Sequence, residues 1–188
     1  MKLFDLLTGS TASAPKIEWR FSEALTEVFA TLCHGDPSVT DEIAACLSDT
    51  KTYCETHKEA FDERGLTYNA DAETWLQLIA AVDAAGNAGY LWELDWKEGS
   101  EKFRSALEAV LQASGLTFST ERLAFDGTKN IPDWAAQFNQ YAGQSGITLY
   151  FIDIDSDSYV MGAALMADYA SAAEIASSVG IHISSRPE

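Results

Sequence analysis

Three aspartates at alternate positions, Asp153, Asp155 and Asp157, form the pattern with the clearest chemical potential. They end a strongly apolar segment, where a buried strand would give way to a turn. Carboxylate oxygens are the ligands that Mg²⁺ and Ca²⁺ prefer. An EF-hand calcium loop counted from Asp153 requires glycine at its sixth position and glutamate at its twelfth, but the chain has Ser158 and Ala164 there. We therefore expect a solvated hairpin turn, with no bound metal and no cofactor.

A strand that ends in Asp-x-Asp also resembles the nucleophile loop of haloacid-dehalogenase-like phosphatases. That chemistry needs further lysine and acidic motifs far downstream, but only 31 residues follow Asp157, and residues 130–185 contain no Lys or Arg to hold a phosphate. The sequence also lacks a Gly-x-Ser-x-Gly turn and a glycine-rich loop followed by lysine. We expect no catalytic residues and no enzyme activity. A metal-dependent enzyme centred on the Asp-rich loop is the alternative.

Two further acids, Glu93 and Asp95, alternate within the segment Tyr90 to Lys97. Residues two apart share one face of a strand, so a paired-carboxylate glycosidase site is conceivable. Acids on the outward face of a half-buried strand more often provide solubility. We predict that Glu93 and Asp95 join Asp153, Asp155 and Asp157 in one acidic binding surface.

The cysteines Cys33, Cys46 and Cys54 raise the question of zinc, because Cys33 precedes a histidine and Cys54 stands three residues before His57. The helix stripe that carries Cys46 and Cys54 is otherwise apolar. Small buried core residues are therefore the expectation, and no zinc site is predicted. Three cysteines cannot all pair within the chain, which favours reduced thiols and a cytoplasmic protein.

The composition excludes several classes of function. Twelve Lys and Arg oppose 29 Asp and Glu, which gives a net charge of −17 over 188 residues. Such an excess of acid repels nucleic acid and anionic membranes, so neither is an expected partner. With 47% hydrophobic residues, the chain has enough apolar surface for a packed core and is not expected to be disordered.

Hydrophobic periodicity predicts the elements that position these residues. The helices are expected at 18–33, from Thr40 to Arg64, from 71 or 72 to the Gly86-Asn87 break, at 100–113, from Pro132 to Gly143, and at 167–179. In the strand that starts at Tyr90, period-two spacing predicts a buried face with Trp92, Leu94 and Trp96. Strands are also expected at 116–118, 147–154, 159–165 and 181–183. The segment 147–154 is apolar on both faces and is therefore predicted to be central in its sheet.

The predicted fold is α+β, with a helical N-terminal half followed by a small, largely antiparallel sheet of about four strands with packed helices. Residues 1–15 are predicted to be an N-terminal segment and linker, and 16–188 one domain. Within that domain, 16–65 would be the helical part and 70–188 the part that contains the sheet.

Two motifs are distinctive. One is the Gly-aromatic strand from Gly89 that ends in Leu94-Asp95-Trp96-Lys97, and the other is Ile152-Asp153-Ile154-Asp155-Ser156-Asp157-Ser158-Tyr159. Together they resemble those of an uncharacterised bacterial family of unknown function. The resemblance covers about residues 70–183. It implies the fold and a bacterial origin, and no particular reaction.

The profile favours a small acidic bacterial protein that acts by binding a protein partner. Bacterial immunity proteins, which neutralise toxins, are often compact, acidic and without catalytic motifs, and a basic toxin would complement the charge. An antitoxin role of this kind is therefore the prediction. The metal-dependent enzyme and a housekeeping domain of unknown function are the alternatives.

Overall fold

A computed structural model describes residues 19–187 and confirms an α+β fold. The predicted N-terminal segment and linker, residues 1–15, lie outside the described residues. The helices and strands, in chain order, are α1 (Phe21–Leu32), α2 (Pro37–Ser48), α3 (Thr50–Thr56), α4 (Lys58–Glu63), α5 (Glu73–Asn87), β1 (Leu91–Asp95), α6 (Ser100–Ala113), α7 (Ile131–Ala142), β2 (Ile147–Ile152), β3 (Ser158–Leu165), α8 (Met166–Ser178) and β4 (Ile183–Ser184). Among the described residues, no helix is long and apolar enough to cross a membrane.

The prediction of one helix from Thr40 to Arg64 is wrong, because the chain forms three short helices there. The second helix begins earlier, at Pro37, where the Asp36 side chain accepts a hydrogen bond from the Ser38 N–H at 2.9 Å. Asp49 leaves the helical conformation and accepts from the Thr52 N–H at 3.0 Å, which starts α3. Both aspartates satisfy backbone donors that a new helix leaves free.

The four strands form one antiparallel sheet in the order β1-β3-β2-β4. The interior position of β2 confirms the prediction of a central strand, and all six of its residues are buried. The β2–β3 hairpin is confirmed as well, with Ile152 opposite Val160 next to the turn. Leu116 to Phe118, predicted as an edge strand, is instead a loop whose apolar side chains pack against the core.

Helices pack on both faces of the sheet and create two apolar cores that share its strands. In the first core, α1, α2, α5 and α8 pack around Tyr150 and Ile152 of β2. In the second core, α6 and α7 pack against Leu149 and Phe151 of the same strand. Adjacent residues of β2 therefore belong to different cores, as the alternation of side chains in a strand requires.

Candidate binding surface

The Asp-rich turn has a defined conformation. Asp153 and Asp155 are exposed, whereas Ile154 between them is buried. The Asp155 N–H donates to Asp153 Oδ1 at 2.9 Å, and Asp155 has a φ of 58°, in the left-handed region that aspartate tolerates better than most residues. The turn therefore holds the carboxylates of Asp155 and Asp157 in solvent.

Two long-range hydrogen bonds fix the base of this turn. The indole N–H of Trp75, on α5, donates to the Ile154 carbonyl at 3.0 Å. The Asp153 N–H donates to the His182 carbonyl, also at 3.0 Å. The turn is thus attached to a helix on one side and to the segment before β4 on the other.

Glu93 and Asp95 lie beside the turn, because β1 pairs with β3 so that Asp95 is opposite Ser158. The Ser158 hydroxyl donates to the Glu93 carboxylate. Ser158 has a single hydroxyl proton and uses it toward Glu93, so Ser156 donates in the contact between the two hydroxyl oxygens, which lie 2.8 Å apart. The structure therefore brings Glu93 and Asp95 to the same end of the sheet as the Asp-rich turn.

Glu93 is also held by a cation that the sequence did not reveal. Arg64, just after α4, donates to Glu93 Oε2 at 2.8 Å and through Nε to Asp83 Oδ1 at 3.1 Å. Partial burial opposes ionisation of Glu93, but the hydrogen bonds from Arg64 and Ser158 outweigh it and lower the pKa of the carboxyl group. Glu93 is therefore a structural link between the helices and the hairpin, and it shares the positive charge of Arg64 with Asp83.

Trp96 differs from the sequence prediction. It was expected on the buried face of β1, yet 53% of its surface is exposed. The strand ends at Asp95, and a turn closed by the Glu98 N–H donating to the Asp95 carbonyl at 2.9 Å turns the chain away from the sheet. Lys97 Nζ lies 4.8 Å from the centre of the Trp96 ring. An exposed aromatic ring thus follows directly after an exposed carboxylate.

A polar cleft of about 470 Å³ lies between the turn and β4. Its polar lining comes from Asp153, Ser156, Ser158, Tyr159, His182 and Ser184. Sequence reasoning did not identify His182 or Ser184, because β4 is only two residues long and its neighbours are far away in the chain. Within residues 19–187, no hydrogen bond joins the His182 ring to a serine hydroxyl.

Asp168 does not belong to this surface, although it follows the hairpin closely in the sequence. It lies in the first turn of α8, which begins where β3 ends. The eight residues of β3 separate that end from the hairpin turn. At about 3.3 Å per residue, the two groups lie at opposite ends of the sheet.

The cysteines occupy the first core. Cys33, Cys46 and Cys54 are buried free thiols, and burial raises the pKa of both Cys33 and Cys46 to about 12. Protonated thiols are poor nucleophiles and poor metal ligands. Over residues 19–187, no three His, Cys, Asp or Glu side chains form a group that could hold a metal ion.

Comparison with curated proteins and with solved structures gives no match to this chain. A family model described as a domain of unknown function, DUF6630, matches residues 24–187. The match starts within α1 and so includes the helices that the motif resemblance, limited to about residues 70–183, left out. The chain therefore belongs to the DUF6630 family of domains of unknown function.

Proposed function

We propose that this protein acts by binding a basic partner protein through the hairpin-end surface, which we define as Asp95, Trp96, Asp153, Asp155 and Asp157. The observation that carries the proposal is the position of Trp96, which is half exposed and directly follows Asp95 at the end of the sheet that carries the Asp-rich turn. Tryptophan is enriched among residues that dominate binding energy, and surrounding charges tune the rate of association.

The charge distribution supports a basic partner. The whole chain carries −17, and residues 130–185 contribute six acids without a lysine or arginine. Glu93 and Asp83 share Arg64, whereas the turn carboxylates are exposed and lack an ion pair within the described residues. A partner rich in Lys and Arg would therefore be attracted over the distance of a Debye length, and salt would weaken this attraction.

Neutralisation of the turn tests the proposal. The partner is captured from the source organism, purified, and its association rate with the wild type and with Asp155→Asn/Asp157→Asn is measured at low and high salt. We expect the variant to associate about tenfold more slowly at low salt and to show a flatter salt dependence. The turn geometry should persist, because it uses the Asp155 N–H and the Asp153 carboxylate.

A matched control removes two charges elsewhere. Glu27→Gln/Asp41→Asn changes exposed acids on α1 and α2, outside the hairpin-end surface. This variant should retain the wild-type rate to within about a factor of two. If the turn variant and the control behave alike, the Asp-rich turn is not the binding surface.

The finer proposal is that the partner is a toxin and that the protein is a cytoplasmic bacterial immunity protein. Rapid, charge-driven association suits a protein that must neutralise a toxin before damage occurs. A toxin gene next to the gene for this protein would support the role. Co-expression should then restore growth of cells that produce the toxin, and the turn variant should protect them less well.

A further inference from the structure

We infer that the free edge of β1 binds an extended basic segment of the partner as an additional strand. This inference rests on the proposed function, because it specifies which part of the same partner is recognised and how. It is carried by the backbone of the sheet edge and by the groove beside it, rather than by the Asp-rich turn.

The hydrogen-bond pattern shows which backbone groups of β1 face outward. The Met166 N–H donates to the directly opposite Gly146 carbonyl at 2.8 Å, so even-numbered residues form the hydrogen-bonded pairs between β2 and β3. Backbone groups of alternate residues point to opposite sides of a strand, so the odd-numbered residues of β3 bond to β1. The even-numbered residues of β1 complete these pairs. Leu91, Glu93 and Asp95 therefore direct their N–H and C=O groups away from the sheet.

At the opposite side of the sheet, a side chain satisfies backbone groups of β2 that β4 leaves unpaired. Where the short strand β4 no longer covers β2, Asn139 Oδ1 accepts from the Leu149 N–H at 2.7 Å, and its Nδ2 donates to the Leu149 carbonyl at 3.1 Å. Within residues 19–187, no comparable group bonds to the N–H of Glu93 or Asp95, or to the Glu93 carbonyl. An edge strand left in this state is a template for another strand.

A groove borders this edge and would accept side chains of an added strand. It has a volume of about 230 Å³ and lies between the end of α5 and β1. Its lining includes Arg64, Val82, Asp83, Leu91, Trp92 and Glu93. The groove thus combines apolar side chains with two carboxylates and the single guanidinium of Arg64 that lies between them.

The charges beside the β1 edge favour a basic segment as the added strand. Asp83 and Glu93 share one compensating cation, Arg64, and the exposed Asp95 ends the strand. Side chains of neighbouring strands that share a face interact directly. Lysine or arginine at alternate positions of an added strand would meet Glu93 and Asp95, while the intervening residues would meet Trp92 on the other face.

A second copy of this chain fits the edge poorly. An antiparallel pair of β1 strands related by a two-fold axis at Glu93 would place the two Glu93 side chains opposite each other. Like charges directly opposite destabilise a strand pair, and each chain carries −17. A basic segment of a different protein avoids both costs.

The test uses a capped octapeptide of alternating lysine and valine and the full-length chain. In an antiparallel addition, the lysine amides donate to β1 and the valine amides point to solvent; in a parallel addition these roles are reversed. N-methylation of one set of amides should weaken binding at least tenfold, while methylation of the other set leaves it nearly unchanged. At saturation, exchange of the Glu93 and Asp95 amide protons should slow at least tenfold by NMR.

A pair of variants at Glu93 distinguishes the contribution of the backbone N–H to peptide binding from that of the side chain. Glu93→Ala and Glu93→Pro both lose the carboxylate, but only proline removes the outward N–H, a position at which edge strands tolerate proline. We expect Glu93→Pro to bind the peptide at least tenfold more weakly than Glu93→Ala. If Glu93→Pro does not fold, the methylated peptides test the backbone hydrogen bonds on the wild-type protein instead.

The inference is wrong if both methylated peptides bind like the parent and the amide exchange does not change. A dimer in solution that Glu93→Pro converts to monomer would also overturn it, because a second copy would then occupy the edge. The proposed function is judged separately by the salt dependence of Asp155→Asn/Asp157→Asn. The turn variant can show the expected salt dependence while the peptide fails to add as a strand. The peptide can also add as a strand while the turn variant shows no change in salt dependence.

Discussion

At the scale of single residues, Tyr150 and Gly162 show how tightly the first core is packed. They are opposite each other on β2 and β3, and the Tyr150 ring lies directly over Gly162. Tyr150 is fully buried, and its hydroxyl has no hydrogen-bond partner within the described residues. Burial therefore raises its pKa far above the ordinary value. The φ of Gly162 is not in the left-handed region, so the backbone conformation does not require glycine here. Glycine is required because the Tyr150 ring leaves no space for a side chain.

We predict that Gly162→Ala destabilises the protein by about 2 kcal/mol or more. The new methyl group would overlap the Tyr150 ring and lie 2.8 Å from Leu91 Cδ2. Gly143→Ala is the control, because Gly143 has a helical φ of −57° and open space around the added carbon. Urea unfolding measures both. An equal free energy of unfolding for the two variants would contradict this packing.

At the scale of elements, local patterns identified most of the sheet-containing part. The ends of α6 were predicted correctly, as was the hairpin of β2 and β3, because periodicity and turn residues are local signals. The prediction of a long helix from Thr40 to Arg64 was wrong. The Asp49 side chain accepts a hydrogen bond from the nearby Thr52 N–H, which ends one helix and starts the next. The Arg64–Glu93 contact spans 29 residues, so no local pattern could have placed that cation in the site.

The Arg64 contacts connect α4, α5 and β1, and they predict a pH dependence. The folded-state pKa of Glu93 is lowered, so its contribution to stability is present above the unfolded-state pKa, about 4.3, and is lost as the pH falls through the folded-state value. The free energy of unfolding should therefore fall more steeply between about pH 5 and about pH 3 in the wild type than in Glu93→Gln. Parallel curves would show that Arg64 does not stabilise the charged form.

At the scale of the whole molecule, the two cores are joined through the strands they share. Successive residues of β2, Tyr150 and Phe151, bury their side chains in the first and second core respectively. Loss of either core would expose one face of the same sheet. The sequence-based assignment of 16–188 to one domain therefore implies a single cooperative unfolding transition, in which damage to one core is felt in the other.

Phe151→Ala provides the measurement. Phe151 is 4% exposed in the second core, and its truncation should cost about 3–5 kcal/mol. The cysteines report on the first core, where burial keeps their thiols protonated and inaccessible to a thiol reagent at neutral pH. If the chain unfolds as one unit, the cysteines of Phe151→Ala should become labelled at a lower urea concentration than those of the wild type. The loss in free energy of unfolding obtained from thiol labelling should then equal the loss obtained from circular dichroism. Labelling at the wild-type urea concentration, together with a lowered circular dichroism transition, would mean that the second core unfolds alone.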